Sequence, residues 1–214
     1  MRDFATLFDL DGVVFDTESN YTKFWTKQGE KYFPEIKDFS QIIKGRSLSN
    51  ILESYFSDYK SDWNRIEEDL YEMEKGMSFP YIAGVENLLK QIHEADIPIC
   101  LVTSSDAVKM QTVINSCPEI EEYFPLRVIG SDIKNAKPAP DCYLLGAKKC
   151  NILANRCIVF EDSLAGIQAG RSAGMKVIGL STTVGVKDLE GRVDKIIPDF
   201  SDFTLDNLLE VLNN

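Results

Sequence analysis

Phe8-Asp9-Leu10-Asp11-Gly12-Val13-Val14 closes an apolar run, Phe4 to Phe8, with two carboxylates two residues apart and then a glycine. Residues i and i+2 of a strand point the same way. A strand that ends here therefore aims Asp9 and Asp11 at one cleft, and Gly12 lets the chain turn sharply away. Two carboxylates this close repel each other unless a cation lies between them. The pair predicts a magnesium site with a nucleophile in it, at the carboxyl end of a buried strand.

Outward from this stretch, apolar and β-branched runs recur at Ile97–Val102, Leu126–Ile129, Cys157–Phe160, Val177–Leu180 and Lys195–Ile197, with the first at Ala5–Phe8. Helical patterns follow at Asp106–Ser116, Pro140–Cys150, Ser163–Ala173 and Leu205–Leu212, and Pro140 suits a first helical turn. Strand and helix in alternation predict an α/β fold, a doubly wound parallel sheet.

Residues 17–81 read differently. They hold helical patterns, Ser47–Phe56 and Asp62–Lys75, with Ser61 as an N-cap and Gly76 as a stop. Tyr21, Phe24, Trp25, Tyr32, Phe33 and Phe39 suffice for a small core of their own, although Tyr21 and Trp25 also suit a cleft wall. The stretch is too long for a crossover. It is expected to be a small helical cap at 17–81, inserted into a catalytic core made of 1–16 and 82–214. Its two connectors, near Thr17 and near Pro80–Gly84, form a hinge pair.

Ligands of an open parallel sheet bind outside the carboxyl ends of the strands. The second strand run ends in Thr103-Ser104-Ser105, a loop after the third carries Lys137-Pro138, and the fourth ends in Glu161-Asp162-Ser163. Together with Asp9 and Asp11, these segments bring nucleophile, hydroxyl, cation and metal-ligand chemistry to one edge.

Composition narrows the function classes. The chain has 214 residues, 44% hydrophobic and 27% charged, enough for one large domain or one domain with a small insert. Its net charge of -11 argues against nucleic acid and against an anionic membrane as partners. It also demands local cations if the substrate is a phosphate. Cys100, Cys117, Cys142, Cys150 and Cys157 are odd in number and scattered, as expected of reduced thiols in a cytoplasmic protein. Asp9 and Asp11 arrive too early for a signal peptide, and no run approaches the length of a membrane helix. His93, the single histidine, falls on the polar side of a helix whose apolar stripe is Leu88, Leu89 and Ile92. Read as a solvated side chain, it sets aside a Ser-His-Asp triad and a histidine-rich metal site.

Four motifs stand in order: D-x-D-G-V at Asp9, a strand-ending Thr103, K-P-A-P-D at Lys137, and E-D-S-L-A-G-I-Q-A-G from Glu161 to Gly170. Over the whole chain this set resembles the haloacid dehalogenase superfamily of aspartate-nucleophile phosphotransferases. More narrowly, it is similar to the subfamily with a helical cap after the first motif, which includes β-phosphoglucomutase and many small sugar-phosphate phosphatases. The resemblance implies Asp9 as nucleophile and Asp11 as general acid, then general base. It implies a Mg2+ site formed by Asp9, the Asp11 backbone carbonyl and Asp162, with Glu161 as a ligand or as the group that orients a water. It implies that Thr103, the Ser104 backbone N–H and Lys137 hold the transferring phosphoryl group. Asp16 is expected only to fix the turn. Lys44-Gly45-Arg46-Ser47 begins a predicted helix, where Lys44 and Arg46 suit either a distal substrate group or a plain cationic turn.

The expected activity is that of a magnesium-dependent phosphatase acting on a small phosphorylated metabolite, with a sugar phosphate as the leading candidate. The alternative is a phosphosugar mutase. The mutases carry a histidine in the first cap helix where this chain has Tyr21, and their loop arginine is displaced here, with Arg46 before Ser47 and Leu48 after it. Dehalogenases lack the second aspartate, present here as Asp11. A phosphoaspartate receiver module carries its phosphorylated residue after a later strand and has no cap. An inactive scaffold is expected to have lost motif residues, and none is lost. The substrate itself and the oligomeric state are left open by the sequence.

Overall fold

Six β-branched or apolar segments are strands in the computed structural model, which describes residues 3–213: β1 Ala5–Phe8, β2 Ile99–Val102, β3 Leu126–Val128, β4 Cys157–Glu161, β5 Lys176–Leu180 and β6 Lys195–Ile197. They form one parallel sheet in the order β3-β2-β1-β4-β5-β6. The order reverses between β1 and β4, where Phe8 is in register with Phe160. Neighbouring chains diverge past such a switch point and leave a crevice at their carboxyl ends. Asp9 and Glu161-Asp162 extend into that crevice, and the Asp9 N–H still donates to Phe160 O at 3.1 Å.

Side chains alternate across β1. Phe4 and Phe8 join one apolar layer with Leu88, Val113 and Leu208; Ala5 and Leu7 join the other with Tyr143, Ala147 and Ile167. The first layer is covered by helices Val85–Glu94, Ala107–Ser116 and Leu205–Asn213, the second by Asp141–Cys150 and Leu164–Ser172. The sheet is therefore doubly wound, as its strand–helix alternation predicts.

Between β1 and β2 lies a wholly helical insert: Glu18–Tyr32, Phe39–Ile42, Leu48–Tyr55 and Trp63–Lys75, with a 3-10 turn at Ser57–Asp62. It packs around a third apolar cluster, in which Tyr32, Phe33 and Phe39 each meet Phe56 edge to face and Trp25 meets it at a tilt. Its two connectors run side by side: Asp16 N–H donates to Pro80 O at 2.8 Å and Ile82 N–H to Val14 O at 2.9 Å. Asp16 itself is exposed, consistent with a turn residue.

Local expectations differ from the structure at several positions, and Ile129 lies beyond the end of β3. Ser61 does not cap the helix that follows; it lies inside the 3-10 turn, and Asp62 occupies the cap position without a side-chain bond. Ile97 and Pro98 precede β2 instead of belonging to it. His93 is half-buried, its Nε2 2.9 Å from Tyr123 O, so it ties its helix to the Ile120–Tyr123 turn and is not a freely solvated side chain. All five cysteines are free thiols. Among the described residues no helix is long and apolar enough to cross a membrane.

Candidate active site

The turn after β1 sets the site. Gly12 has φ +75°, and a Cβ there collides with the Asp162 carboxylate and the Thr183 hydroxyl. Only glycine combines that backbone conformation with so close an approach. Val14 N–H and Phe15 N–H both return to Leu10 O, at 2.9 and 3.0 Å. The loop after β5 braces the turn from the far side, with Thr182 Oγ1 donating to Gly12 O at 2.6 Å.

Asp9, Glu161 and Asp162 bring carboxylate oxygens within 4.8 Å of one another, all buried. One cation faces them. Lys137 Nζ lies 2.6 Å from Asp9 Oδ1 and 2.6 Å from Glu161 Oε1. Burial by itself lowers a lysine pKa, but the Asp9 and Glu161 charges outweigh it and hold Lys137 above the usual lysine range. Desolvation pushes the Asp9 carboxyl up to about 7, against the pull of Lys137 and with the push of Glu161. Asp162 is raised too, first by burial and then by Glu18, Glu161 and Asp9. Three clustered carboxylates with one ammonium leave excess negative charge in a dry site. Such a set of hard oxygen donors fits a small divalent cation.

The two acids of β4 divide the work. Glu161 is fully enclosed, and both of its oxygens are used: Oε1 by Lys137 and by the Tyr143 hydroxyl at 2.9 Å, Oε2 by the N–H groups of Asp162 and Ser163 and by Ser163 Oγ, each at 3.0 Å. Gly166 leaves room for that carboxylate, since a Cβ there would overlap it. Ser163 Oγ caps helix Leu164–Ser172 through Gly166 N–H at 3.1 Å. Asp162 is thereby free of capping. It accepts from Thr183 Oγ1 and lines the cavity.

Asp11 is held separately. Thr17 Oγ1 donates to Asp11 Oδ1 at 2.5 Å, while Oδ2 takes the Lys109 ammonium and, at 3.5 Å, the Ser105 hydroxyl. Thr103 is buried at the end of β2, where its Oγ1 accepts Ser105 N–H at 3.0 Å.

Between sheet edge and insert lies a cavity of about 460 Å³, walled by Asp9, Asp11, Thr103 and Asp162 from below and by Tyr21 and Glu74 from above. Ser104 touches the insert through its hydroxyl, which donates to Gly45 O at 3.0 Å. Lys44 and Arg46 line the cavity but are engaged elsewhere. Lys44 pairs with Glu18 at 3.1 Å; Arg46 donates to Asn50 Oδ1 at 3.1 Å and lies over the Tyr55 ring. Tyr21 faces the cavity, and Trp25 borders it while also belonging to the insert's core. Sequence reasoning missed Thr17, Lys109, Tyr143 and Thr183. Of these, only Thr17, close behind the first motif, carried a positional signal.

Residues 6–180 match the haloacid dehalogenase-like hydrolase family. The chain belongs to that family. A phosphorylated carbohydrates phosphatase of Thermotoga maritima is 29% identical over 182 residues, 81% of this chain and 83% of that one. The haloacid dehalogenase hydrolase of family IA, variant 3, from Entamoeba histolytica has a similar structure, with TM-score 0.84 and 26% identity, covering 99% of this chain and 100% of that one. A β-phosphoglucomutase of Clostridium difficile superposes with TM-score 0.77 at 26% identity, covering 100% of this chain and 98% of that one. Fold and family agree with the resemblance carried by the four motifs.

Proposed function

We propose that this haloacid dehalogenase-like hydrolase is a magnesium-dependent phosphatase that hydrolyses a small phosphomonoester through a phosphoaspartate on Asp9, with residues 17–81 acting as its cap. The observation that carries the reading is Asp9: its Oδ1 lies 2.6 Å from the buried Lys137 ammonium while the residue opens onto the cavity that Asp11 shares. A carboxylate beside an enclosed cation can meet a phosphoryl group without the full repulsion between two anions.

Asp9, Asp162 and the Asp11 backbone carbonyl are the groups to hold the ion, with Glu161 behind them anchoring Lys137. A bound magnesium ion supplies neutralisation of phosphoryl charge. In the first step an Asp9 carboxylate oxygen bonds to phosphorus. The bond from phosphorus to the ester oxygen breaks, and its electron pair stays on that oxygen, which takes the proton from the Asp11 carboxyl. In the second step the Asp11 carboxylate takes a proton from water as the water oxygen bonds to phosphorus. The bond to Asp9 breaks, releasing phosphate and restoring the Asp9 carboxylate. Lys137 and Thr103 hold the phosphoryl oxygens throughout.

The likeness to β-phosphoglucomutase supports a second reading, in which a sugar hydroxyl replaces water in the second step. Tyr21 argues for hydrolysis. Its hydroxyl is committed to Glu74 at 2.8 Å and it offers no imidazole, while Arg46, in the turn before helix Leu48–Tyr55, is engaged by Asn50 of that helix. The Thermotoga maritima relative, by its name, is a phosphatase of phosphorylated carbohydrates, which supports a sugar or polyol phosphate as substrate. The deciding experiment is a panel of phosphate esters with magnesium, scoring free phosphate against conversion of β-glucose 1-phosphate into glucose 6-phosphate. Phosphate release is expected. Isomerised sugar without free phosphate overturns the phosphatase assignment in favour of the mutase.

A further inference from the structure

Lys109 belongs to none of the four motifs, yet its residue is only 5% exposed. It sits in the first turn of the core helix Ala107–Ser116, where its N–H donates to the capping Asp106 Oδ1 at 2.9 Å. From there its ammonium reaches Asp11 Oδ2. The cap covers the same ammonium from the other side. The Tyr21 ring centroid lies 4.3 Å from Lys109 Nζ, and Glu74, which holds the Tyr21 hydroxyl, is itself buried.

We propose that Lys109 is a positioning residue for proton transfer at Asp11, held on the cap side by Tyr21, so that the Asp11 carboxyl is aimed at the leaving-group oxygen when the cap is docked. This rests on the phosphoaspartate reading and deepens it. The terminal torsion of an aspartate is soft, whereas proton transfer needs the two heavy atoms within about 3 Å of each other. Donors on both oxygens fix the carboxyl plane: Thr17 from the hinge on Oδ1, and Lys109 from the core helix on Oδ2 with the Ser105 hydroxyl farther off at 3.5 Å. A carboxylate offers about four acceptor sites, so these donors still leave a lone pair for the cavity. Phosphate binding is a different task, already served by Lys137 beside Asp9. Lys109 pairs with Asp11 instead and borders the cavity beside Tyr21 and Glu74, the side a leaving group must occupy.

The test compares two esters in wild type, Lys109→Met and Lys109→Arg. p-Nitrophenyl phosphate releases a stable phenolate and needs little proton donation; a primary alkyl phosphate releases an alkoxide and needs it fully. The ratio kcat/KM reports the chemistry up to the phosphoenzyme. Lys109→Met is expected to lower kcat/KM for the alkyl ester about tenfold more than for the aryl ester. KM should move by less than about threefold, and Lys109→Arg should recover part of the loss. Equal losses on both esters, a change in KM alone, or no change overturns the assignment. If the methionine variant does not fold, Lys109→Gln, which keeps a neutral donor near Asp11, is read by the same alkyl-to-aryl ratio: a smaller loss, still greater for the alkyl ester, is expected, and equal losses overturn the assignment. Wild type that releases phosphate from neither ester removes the phosphatase reading itself, an outcome distinct from a failed Lys109 role.

Discussion

Lys137 Nζ lies 2.6 Å from Glu161 Oε1, and this ion pair is sealed from solvent, with side-chain exposures of 1% and 0%. Glu161 thus orients the cation that faces Asp9. Replacing Lys137 by methionine leaves two enclosed carboxylates without their cation. Breaking a buried pair from one side costs about 3–5 kcal/mol. Lys137→Met is expected to lower the urea midpoint accordingly and to cut phosphate release at least about a hundredfold. A variant that unfolds at the wild-type urea concentration shows that the pair contributes nothing to stability.

Asp9→Asn should separate chemistry from stability. The Asp9 carboxyl is raised by burial from its ordinary 3.8 to about 7, so between those values the folded, metal-free protein binds more protons than the unfolded chain. Its stabilising contribution is fully present below 3.8 and is lost as pH rises through about 7. The asparagine removes that loss and leaves Lys137 paired one-to-one with Glu161. Turnover is expected to vanish, while Tm in chelator at about pH 8 equals or exceeds that of wild type. A clearly lower Tm means that the Lys137–Asp9 contact outweighs the desolvation of Asp9. Residual turnover within about tenfold of wild type excludes Asp9 as the nucleophile.

The sheet and its site edge were legible because β-branched runs and strand-end acids are local signals. Asp9, Thr103 and Glu161-Asp162 each sit within one residue of a strand end, and parallel topology alone gathers such ends. Lys109 was not legible. A lysine within a helical pattern reads as solvated, and its burial arises only when Tyr21 and Glu74, on two different cap helices, cover it. The divided roles of Glu161 and Asp162 were equally hidden, because they depend on Tyr143 and on the space left by Gly166. Ser61 misled for a simpler reason. Its Ser-Asp step suits a cap, but the preceding 3-10 turn carries the chain into the helix through Asp62.

Magnesium should stabilise the folded protein as well as support turnover. An ion that binds only the native state adds RT ln(1 + [L]/Kd), about 2.7 kcal/mol at a hundredfold excess over Kd. Thermal melts across a magnesium titration are expected to show Tm rising toward a plateau in wild type and staying flat in Asp162→Asn. Chelation should abolish phosphate release and magnesium should restore it. An equal Tm rise in wild type and Asp162→Asn places the ion elsewhere.

Cap docking offers the last test. Tyr71 Oη donates to Asp106 Oδ2 at 2.5 Å, and Ser104 Oγ donates to Gly45 O at 3.0 Å, and both bonds cross between core and cap away from the connectors. The first involves a carboxylate, a class of bond worth about 1.5–3 kcal/mol. Asp106 also caps the helix that carries Lys109, which links cap docking to the residue that holds Asp11. Tyr71→Phe removes the crossing bond and keeps the ring. Loss of about 1.5 kcal/mol from the docked state lowers its population about sevenfold if docked and open forms are near balance. kcat/KM is then expected to fall by up to that factor, with the global unfolding midpoint little changed, because the cap and sheet keep separate apolar cores. Limited proteolysis at the two connectors should speed up in parallel. Unchanged kinetics together with unchanged cleavage means that the Tyr71–Asp106 bond does not hold the cap down during turnover.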